Sequence, residues 1–245
     1  MGEHLSEGDK RRVIDILHEY RDCFALDLSE LGKTNIAEAK IELTSSIPVY
    51  YKPYRVSYAE RDKVRDIIDE LKQHGIVRDS NSQYASPILL VKKKTGETRL
   101  CVDYRALNAI TKKQRFPLPV IEDQVNSLQG AKIFSTFDLR SGYFQIPLAP
   151  ADVEKTAFVT PDGHYEFLFL PFGIVTGPAE CARLAQKVIK PLKGEMNVEA
   201  YFDDFCTGSS SIEEALEALR KFLQKIREVG LTLRLDKCTF LTENV

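Results

Sequence analysis

From residue 132 onward the chain reads strand, short helix, hairpin, helix, hairpin, helix, strand, and this order restricts the fold more than any other feature. The apolar run 132–137 predicts a buried strand with Asp138 at its end. A hairpin spans 155–170 and turns at Pro161-Asp162-Gly163. A helix follows Pro178 and runs to about Ile189. Residues 198–201 predict a short strand, Asp203-Asp204 falls at a turn, and 205–207 return as its partner. Ser211 and Glu214 open a capped helix with Leu216, Leu219, Phe222, Leu223 and Ile226 inward and Gly230 as terminator. A final β-rich stretch begins at Leu231. Interleaved helices and largely antiparallel strands predict an α+β layer, with helices on one face of a sheet.

Upstream, residues 6–20 predict a helix with Val13, Ile16, Leu17 and Tyr20 on one face. Residues 25–56 are irregular. Pro48 and Pro53 bracket Val49-Tyr50-Tyr51-Lys52, disfavour helix, and predict an extended strap over the surface. Ser57 and Glu60 form an S-x-x-E capping box ahead of an apolar stripe, Val64, Ile67, Ile68 and Leu71, with Gly75 as the stop. Residues 88–104 predict a hairpin turning at Thr95-Gly96, its tip carrying Lys92, Lys93 and Lys94. After Phe116-Pro117-Leu118-Pro119 comes a short helix to Leu128.

The formal net charge is −2, and its distribution says more than its total. Residues 1–47 carry ten acids and six Lys/Arg, whereas 87–120 carry eight Lys/Arg against Glu97 and Asp103. A local basic surface attracts a polyanion even on a slightly acidic molecule; on charge alone a solvated lysine-rich hairpin is an equal reading. Five scattered cysteines, none in a C-x-x-C pair, argue against a disulfide framework or a zinc site and predict reduced, mostly buried thiols. No stretch approaches the roughly 18 apolar residues of a membrane helix. The polar first ten residues lack the apolar core of a signal peptide, so the expectation is a cytoplasmic protein.

Adjacent carboxylates at a hairpin tip, Tyr201-Phe202-Asp203-Asp204, repel one another unless a cation neutralises them. If the strand ending in Asp138 neighbours that hairpin, three carboxylates meet at one sheet edge, and such hard oxygen ligands suit Mg²⁺. Two ions about 3.5–4 Å apart can serve an in-line displacement. An isolated Asp-Asp is more simply a polar turn, and the strand-turn-strand context is what lifts this one above that.

With those residues in hand, the chain resembles the reverse transcriptases of gypsy-type LTR retrotransposons, over about residues 40–245. The likeness runs in order through Tyr84-Ala85-Ser86-Pro87, residues 91–94, 99–108 and 116–119. It continues through Phe134–Leu139 with Ser141–Ile146, Lys155-Thr156-Ala157-Phe158, Leu170-Pro171-Phe172-Gly173, residues 201–204 and Lys237-Cys238-Thr239-Phe240. The resemblance implies right-hand polymerase fingers plus a ferredoxin-like palm, an antiparallel sheet backed by helices, with the thumb absent. The implied division is an N-terminal helix and strap over 1–56, fingers over 57–131 with part of 140–175, and palm over 132–245.

The implied function is RNA-directed DNA polymerase chemistry: two-metal nucleotidyl transfer from a deoxynucleoside triphosphate to a primer 3′-hydroxyl on an RNA or DNA template. The alternative is a catalytically inactive nucleic-acid-binding remnant. Asp138, Asp203 and Asp204 are the implied catalytic and Mg²⁺-binding residues, with Mn²⁺ a substitute. Lys93 and Arg99 match residues that hold the incoming triphosphate, and the amides of Ser141 and Gly142 lie near its phosphates, helped by the short helix there. Tyr143 matches the aromatic residue that excludes a 2′-hydroxyl, and Phe172 and Gly173 the strip flanking nucleotide and template. Tyr201 and Phe202 are implied to lie near the template-primer. Without the family, Tyr143, Phe172 and Phe202 read as core aromatics.

Implied partners are an RNA/DNA primer-template, deoxynucleoside triphosphates, no membrane, and the thumb and RNase H regions of a parent polyprotein; a homodimer and a location in a retroelement's virus-like particle stay open. Two departures stand out. Glu180 and Cys181 replace a small polar residue and a phenylalanine, and losing a buried phenylalanine side chain commonly costs roughly 3–5 kcal/mol. The chain also stops at Val245, where family members continue into the primer grip, which predicts weak or absent processive synthesis. Residues 1–40 read as a linker plus a helix docked on the fingers.

Overall fold

The computed structural model describes residues 1–92, 98–114, 116–117, 124 and 126–243. In chain order its first elements are α1 (Glu7–Glu19), α2 (Tyr58–Gln73), β1 (Val77–Asp79), β2 (Ser86–Lys92), β3 (Thr98–Val102) and α3 (Arg105–Ile110). There follow β4 (Ile133–Asp138), β5 (Phe158–Val159), β6 (His164–Phe167), α4 (Gly177–Ile189), β7 (Asn197–Tyr201), β8 (Asp204–Ser209), α5 (Ile212–Glu228) and β9 (Thr239–Thr242). They belong to two compact units, 1–36 with 115–145 and 178–245, and 37–114 with 146–177.

The first unit holds a four-stranded sheet in the order β7-β8-β4-β9, and each neighbouring pair is antiparallel. With α4 between β4 and β7 and α5 between β8 and β9, this is the β-α-β-β-α-β arrangement of a ferredoxin-like sheet. Burial alternates along β4, with Ile133, Ser135 and Phe137 covered and the residues between them half-exposed, so one face is a core face. Helix α5 lies against that face. Phe222 stacks on Phe137 at 4.2 Å between ring centroids and tilts on Phe205 at 5.3 Å, while Leu219, Leu223 and Ile226 are fully buried around it. Each such side chain contributes about 1.5–3 kcal/mol on burial. The Ser211 hydroxyl accepts from Glu214 N–H at the start of α5, and Gly230 ends it at φ +68°.

Helix α1 docks on α5 of this unit, where the sequence reading placed it on the fingers. Ion pairs join the two helices, Arg12 to Glu213 at 2.6 Å and Arg220 to Glu19, and Arg227 pairs with Asp22 just beyond α1. Two of these pairs set an N-terminal acid against an arginine of α5, and the Arg12–Glu213 pair runs the other way.

The second unit holds a five-stranded sheet, β1-β6-β5-β2-β3. Its β2–β3 hairpin pairs Ile88 with Val102 and Lys92 with Thr98. The expected turn at Thr95-Gly96 lies outside the described residues, as do Leu118 and Pro119. The β5–β6 hairpin has the anticipated turn, but β5 also runs parallel to β2. Strand β1 and helix α3 are additions to the sequence reading. One capping device differs: at the start of α2 the Ser57 hydroxyl donates to the Glu60 carboxylate at 2.6 Å instead of accepting from a backbone amide. All five cysteines are free, but only Cys23 and Cys181 are buried; the other three are half-buried.

Candidate active site

The two-residue loop between β7 and β8 is Phe202-Asp203, with Tyr201 and Asp204 as the closing pair. Phe202 sits at φ +55°, a region that a bulky residue adopts only under constraint and at a cost of about 1–3 kcal/mol. Asp138, the last residue of β4, lies directly opposite Asp204 in the β4–β8 register. Side chains of directly opposed residues share a face of the sheet, so these two carboxylates are neighbours. The Leu139 amide donates to the Asp203 carbonyl at 3.2 Å and ties the loop to the end of β4. The strand-plus-hairpin geometry inferred from sequence is therefore present.

Burial, then the charges of Asp203 and Asp138, raises the Asp204 carboxyl above the ordinary aspartate range, against an opposing pull from Lys237. The Lys237 ammonium donates to Asp138 Oδ2 at 3.1 Å. These acids are short of positive charge, and a cation already sits on one of them. Among the described residues no three His, Cys, Asp or Glu side chains stand close enough to hold a metal ion as a ready-made cage. Mg²⁺ seldom uses one, binding through one or two carboxylates plus waters and substrate phosphates. The donor set fits such an ion.

Beyond Asp138 the short helix expected there is present only in 3-10 form. It makes one 3-10 turn, Gly142–Gln145, after Ser141 at φ +46°, so an argument from a helix dipole falls away. A side chain at Gly142 would put its Cβ 3.4 Å from the Asp203 Cβ and 3.3 Å from that of Leu139, and glycine is what lets the turn approach the acids. Gln145, fully buried, holds the turn in place. Its Nε2 donates to the carbonyls of Arg140 and Thr232 at 2.7 and 2.8 Å, and its Oε1 accepts from the Thr232 amide at 2.7 Å.

Tyr143 is in the same unit. Its hydroxyl shares a hydrogen bond with the Cys181 thiol, and burial pushes both groups up to about 12. The second cause on the thiol is the negative charge of Asp203. Cys181 is buried at 4% exposure. The buried Glu180 is paired with Arg183 at 2.7 Å. At the hairpin, Tyr201 and Phe202 meet edge to face at 4.7 Å. A cavity of about 940 Å³ is bordered by Phe134, Thr136, Asp138, Tyr201, Asp204 and Cys206, among others.

Arg99, Phe172 and Gly173 belong to the second unit. The Arg99 guanidinium lies 5.0 Å from the Phe172 ring centroid. Gly173 adopts φ +93°, and Asn108 clamps it by donating to the Gly173 carbonyl at 2.7 Å while accepting from the Val175 amide at 2.8 Å. Lys93 lies outside the described residues. Sequence reasoning assigned no role to Lys237, Gln145 or Asn108. All three sit inside the quoted motifs, but their partners are distant in the chain.

Two solved structures share the fold. The foamy viral protease-reverse transcriptase in complex with RNA/DNA hybrid matches 99% of this chain and 32% of its own at a TM-score of 0.88 and 23% identity. The native Prototype Foamy Virus protease-reverse transcriptase matches 97% and 32% at 0.85 and 24% identity. The architecture is that of a reverse transcriptase polymerase region, a mixed fold of sheets backed by helices.

The chain belongs to the reverse transcriptase (RNA-dependent DNA polymerase) family, whose profile matches residues 91–245. Its relatives include the Retrovirus-related Pol polyproteins from transposons opus and 297 of Drosophila melanogaster, 36% and 32% identical over 98% of this chain and 24% and 23% of theirs. The transposon Tf2-3 polyprotein of Schizosaccharomyces pombe is 33% identical over 92% of this chain and 17% of its own. These are gypsy-type elements, as the motif series implied. The chain spans about a quarter or less of the length of these relatives. Among the described residues no helix is long and apolar enough to cross a membrane.

Proposed function

We propose that the chain carries the fingers and palm of an RNA-directed DNA polymerase, with the second unit as fingers and the first as palm. It transfers a nucleotide from a deoxynucleoside triphosphate to a primer 3′-hydroxyl on an RNA or DNA template. The observation that carries this reading is the opposition of Asp138 and Asp204 across β4 and β8, with Asp203 in the adjoining loop. Asp138, Asp203 and Asp204 are the residues that would hold two Mg²⁺ ions, Mn²⁺ being a substitute. When bound, the ions supply Lewis-acid charge to the attacking hydroxyl and the departing pyrophosphate.

The chain's own groups position the reactants. The Ser141 and Gly142 amides present donors to phosphate oxygens beside the acids. The Tyr143 ring limits the space at the sugar, and its hydroxyl, pushed up to about 12 by burial, is a hydrogen-bond donor across the working pH range. Arg99 offers a planar fork to the triphosphate, and its contact with Phe172 limits the fork's freedom before binding. Lys93 is assigned the same partner as a point charge.

The test is single-nucleotide incorporation on a primed RNA template. Asp203→Asn abolishes it, and an unimpaired variant ends the two-metal assignment. Template binding without incorporation, even with a thumb supplied, favours the non-catalytic remnant instead.

A further inference from the structure

A ladder of backbone hydrogen bonds in the first unit runs from the N-terminal segment to the acids. Leu233 is bridged on one side to Phe24 and on the other to Leu139. Its carbonyl accepts from the Ala25 amide at 3.0 Å, and its amide donates to the Cys23 carbonyl at 2.8 Å. On the opposite edge the Arg234 amide donates to the Asp138 carbonyl at 2.8 Å, and the Arg140 amide to the Thr232 carbonyl at 3.1 Å. The next bond is that from the Leu139 amide to the Asp203 carbonyl. Residues 232–234 are thus a middle rung between the segment 23–25 and the strand end that carries Asp138.

A second fastening lies a few residues on. The Gly32 amide donates to Thr232 Oγ1 at 2.9 Å, and the Thr34 amide donates to the Gln145 carbonyl at 2.9 Å. A Cβ at position 32 would lie 2.5 Å from the Gly230 carbonyl oxygen and 2.9 Å from Gln145 Oε1, so a larger residue would force the two segments apart. Thr34, Gln145 and Thr232 are all buried. The Thr232 carbonyl accepts from Gln145 Nε2 as well as from Arg140, and its amide donates to Gln145 Oε1. A satisfied buried network of this kind fixes its members more firmly than separate pairs do. Covering apolar surface alone could have placed such bonds anywhere along α5. Here they converge on the two residues that also hold the 142–145 turn and the end of β4.

We infer that the N-terminal segment 23–34 is a working part of the active site, which sets the position of Asp138 and of the Asp203 loop through Gly32, Thr232 and Gln145. Gly32 and Thr232 are positioning residues that act through Leu139 and the 142–145 turn. The inference rests on the reading that the three aspartates are the metal-binding centre of a polymerase.

The experiment measures hydrogen exchange of the Leu139 amide by NMR in the metal-free 245-residue chain, beside calorimetric titration with Mn²⁺, both without nucleotide or template. Thr232→Val keeps the side-chain shape and removes the acceptor for Gly32. It speeds Leu139 exchange relative to that of the Phe222 amide in α5, and weakens Mn²⁺ binding, by about three- to tenfold each, the usual worth of one hydrogen bond. Thr232→Ser keeps the hydroxyl and behaves like the parent. Gly32→Ala has the larger effect on both readouts and cuts nucleotide incorporation by up to about 10²-fold, as small misplacements of reacting groups do. If Gly32→Ala fails to fold, the Thr232 pair alone decides. Equal acceleration at Leu139 and Phe222 signals lost stability only and overturns the inference. So does an unchanged Mn²⁺ affinity in Thr232→Val, or a Thr232→Ser variant as impaired as the valine one. A parent that incorporates no nucleotide while the exchange and Mn²⁺ effects hold loses the polymerase reading alone. An active parent whose Leu139 amide and Mn²⁺ affinity ignore these substitutions loses this inference alone.

Discussion

The Lys237 ammonium donates to Asp138 Oδ2 at 3.1 Å across 99 residues of sequence. Lysine is a compact point charge, and here it occupies an oxygen that a divalent ion would need. Lys237→Gln is expected to bind Mn²⁺ up to about fivefold more tightly, because partly exposed ion pairs of this kind contribute roughly 0.2–1 kcal/mol. Titration calorimetry on the two proteins checks it, and weaker binding in the variant would show that the lysine assists the metal.

Asp204 carries a sign prediction. Its folded-state pKa is raised, first by burial and then by Asp203 and Asp138. Its contribution to stability is therefore fully present below the unfolded aspartate value and lost as pH rises through the folded one. In metal-free protein at neutral pH, Asp204→Asn should raise the melting temperature, and the gain should disappear in mild acid. The same substitution should cut incorporation on the order of 10²–10³-fold, the loss seen when one preorganised electrostatic group is removed. Melting curves in EDTA across pH, beside activity in Mg²⁺, separate the two effects.

Tyr143 and Cys181 make a paired prediction. Tyr143→Ala should admit ribonucleotides, and Tyr143→Phe should keep most of the discrimination, since a ring and not a hydroxyl fills the space at the sugar. Cys181→Ala removes the hydrogen-bond partner of Tyr143 and should relax sugar choice by a few-fold without abolishing incorporation. The ratio of kcat/KM for a deoxynucleotide over its ribonucleotide reads all three. Equal ratios in parent and Tyr143→Ala would remove the gate.

Asp103 behaves oppositely to Asp204. The Arg105 side-chain hydrogen bonds, opposed by desolvation and aided by the Arg105 amide and then the Tyr54 hydroxyl, hold its carboxyl down to about 2. A depressed pKa contributes stability present above the unfolded value, and that stability fades as pH falls through the folded one. Asp103→Asn should thus destabilise the protein by on the order of 1–2 kcal/mol at neutral pH, after allowing for screening of the exposed Arg105. The difference from the parent should vanish between about pH 4 and 2. Denaturant melts at several pH values test this.

Much of the first unit could be read in advance because its signals are local. Ser211 caps α5, Gly230 stops it, and the apolar spacing from Leu216 to Ile226 marks the face that meets the sheet. Of the two acids expected at the turn, Asp203 falls in the loop and Asp204 opens β8 as the partner of Tyr201. The capping box expected at Ser57 takes another form because the hydroxyl has two acceptable partners, and the choice of the Glu60 carboxylate over an amide depends on side-chain geometry. The short helix expected after Asp138 is a single 3-10 turn, its path set by the close approach to Asp203 and the grip of Gln145.

The amino-acid order alone determined the succession of elements, the family, and the identity of three acids as candidates, since periodicity, caps and motif series are properties of neighbouring residues. Only tertiary structure decided that Asp138 faces Asp204, that Lys237 sits on Asp138, and that the N-terminal helix lies on α5. Those pairings join residues far apart along the chain. Their selection comes from sheet register and from burial of apolar faces summed over whole elements, which no local pattern encodes.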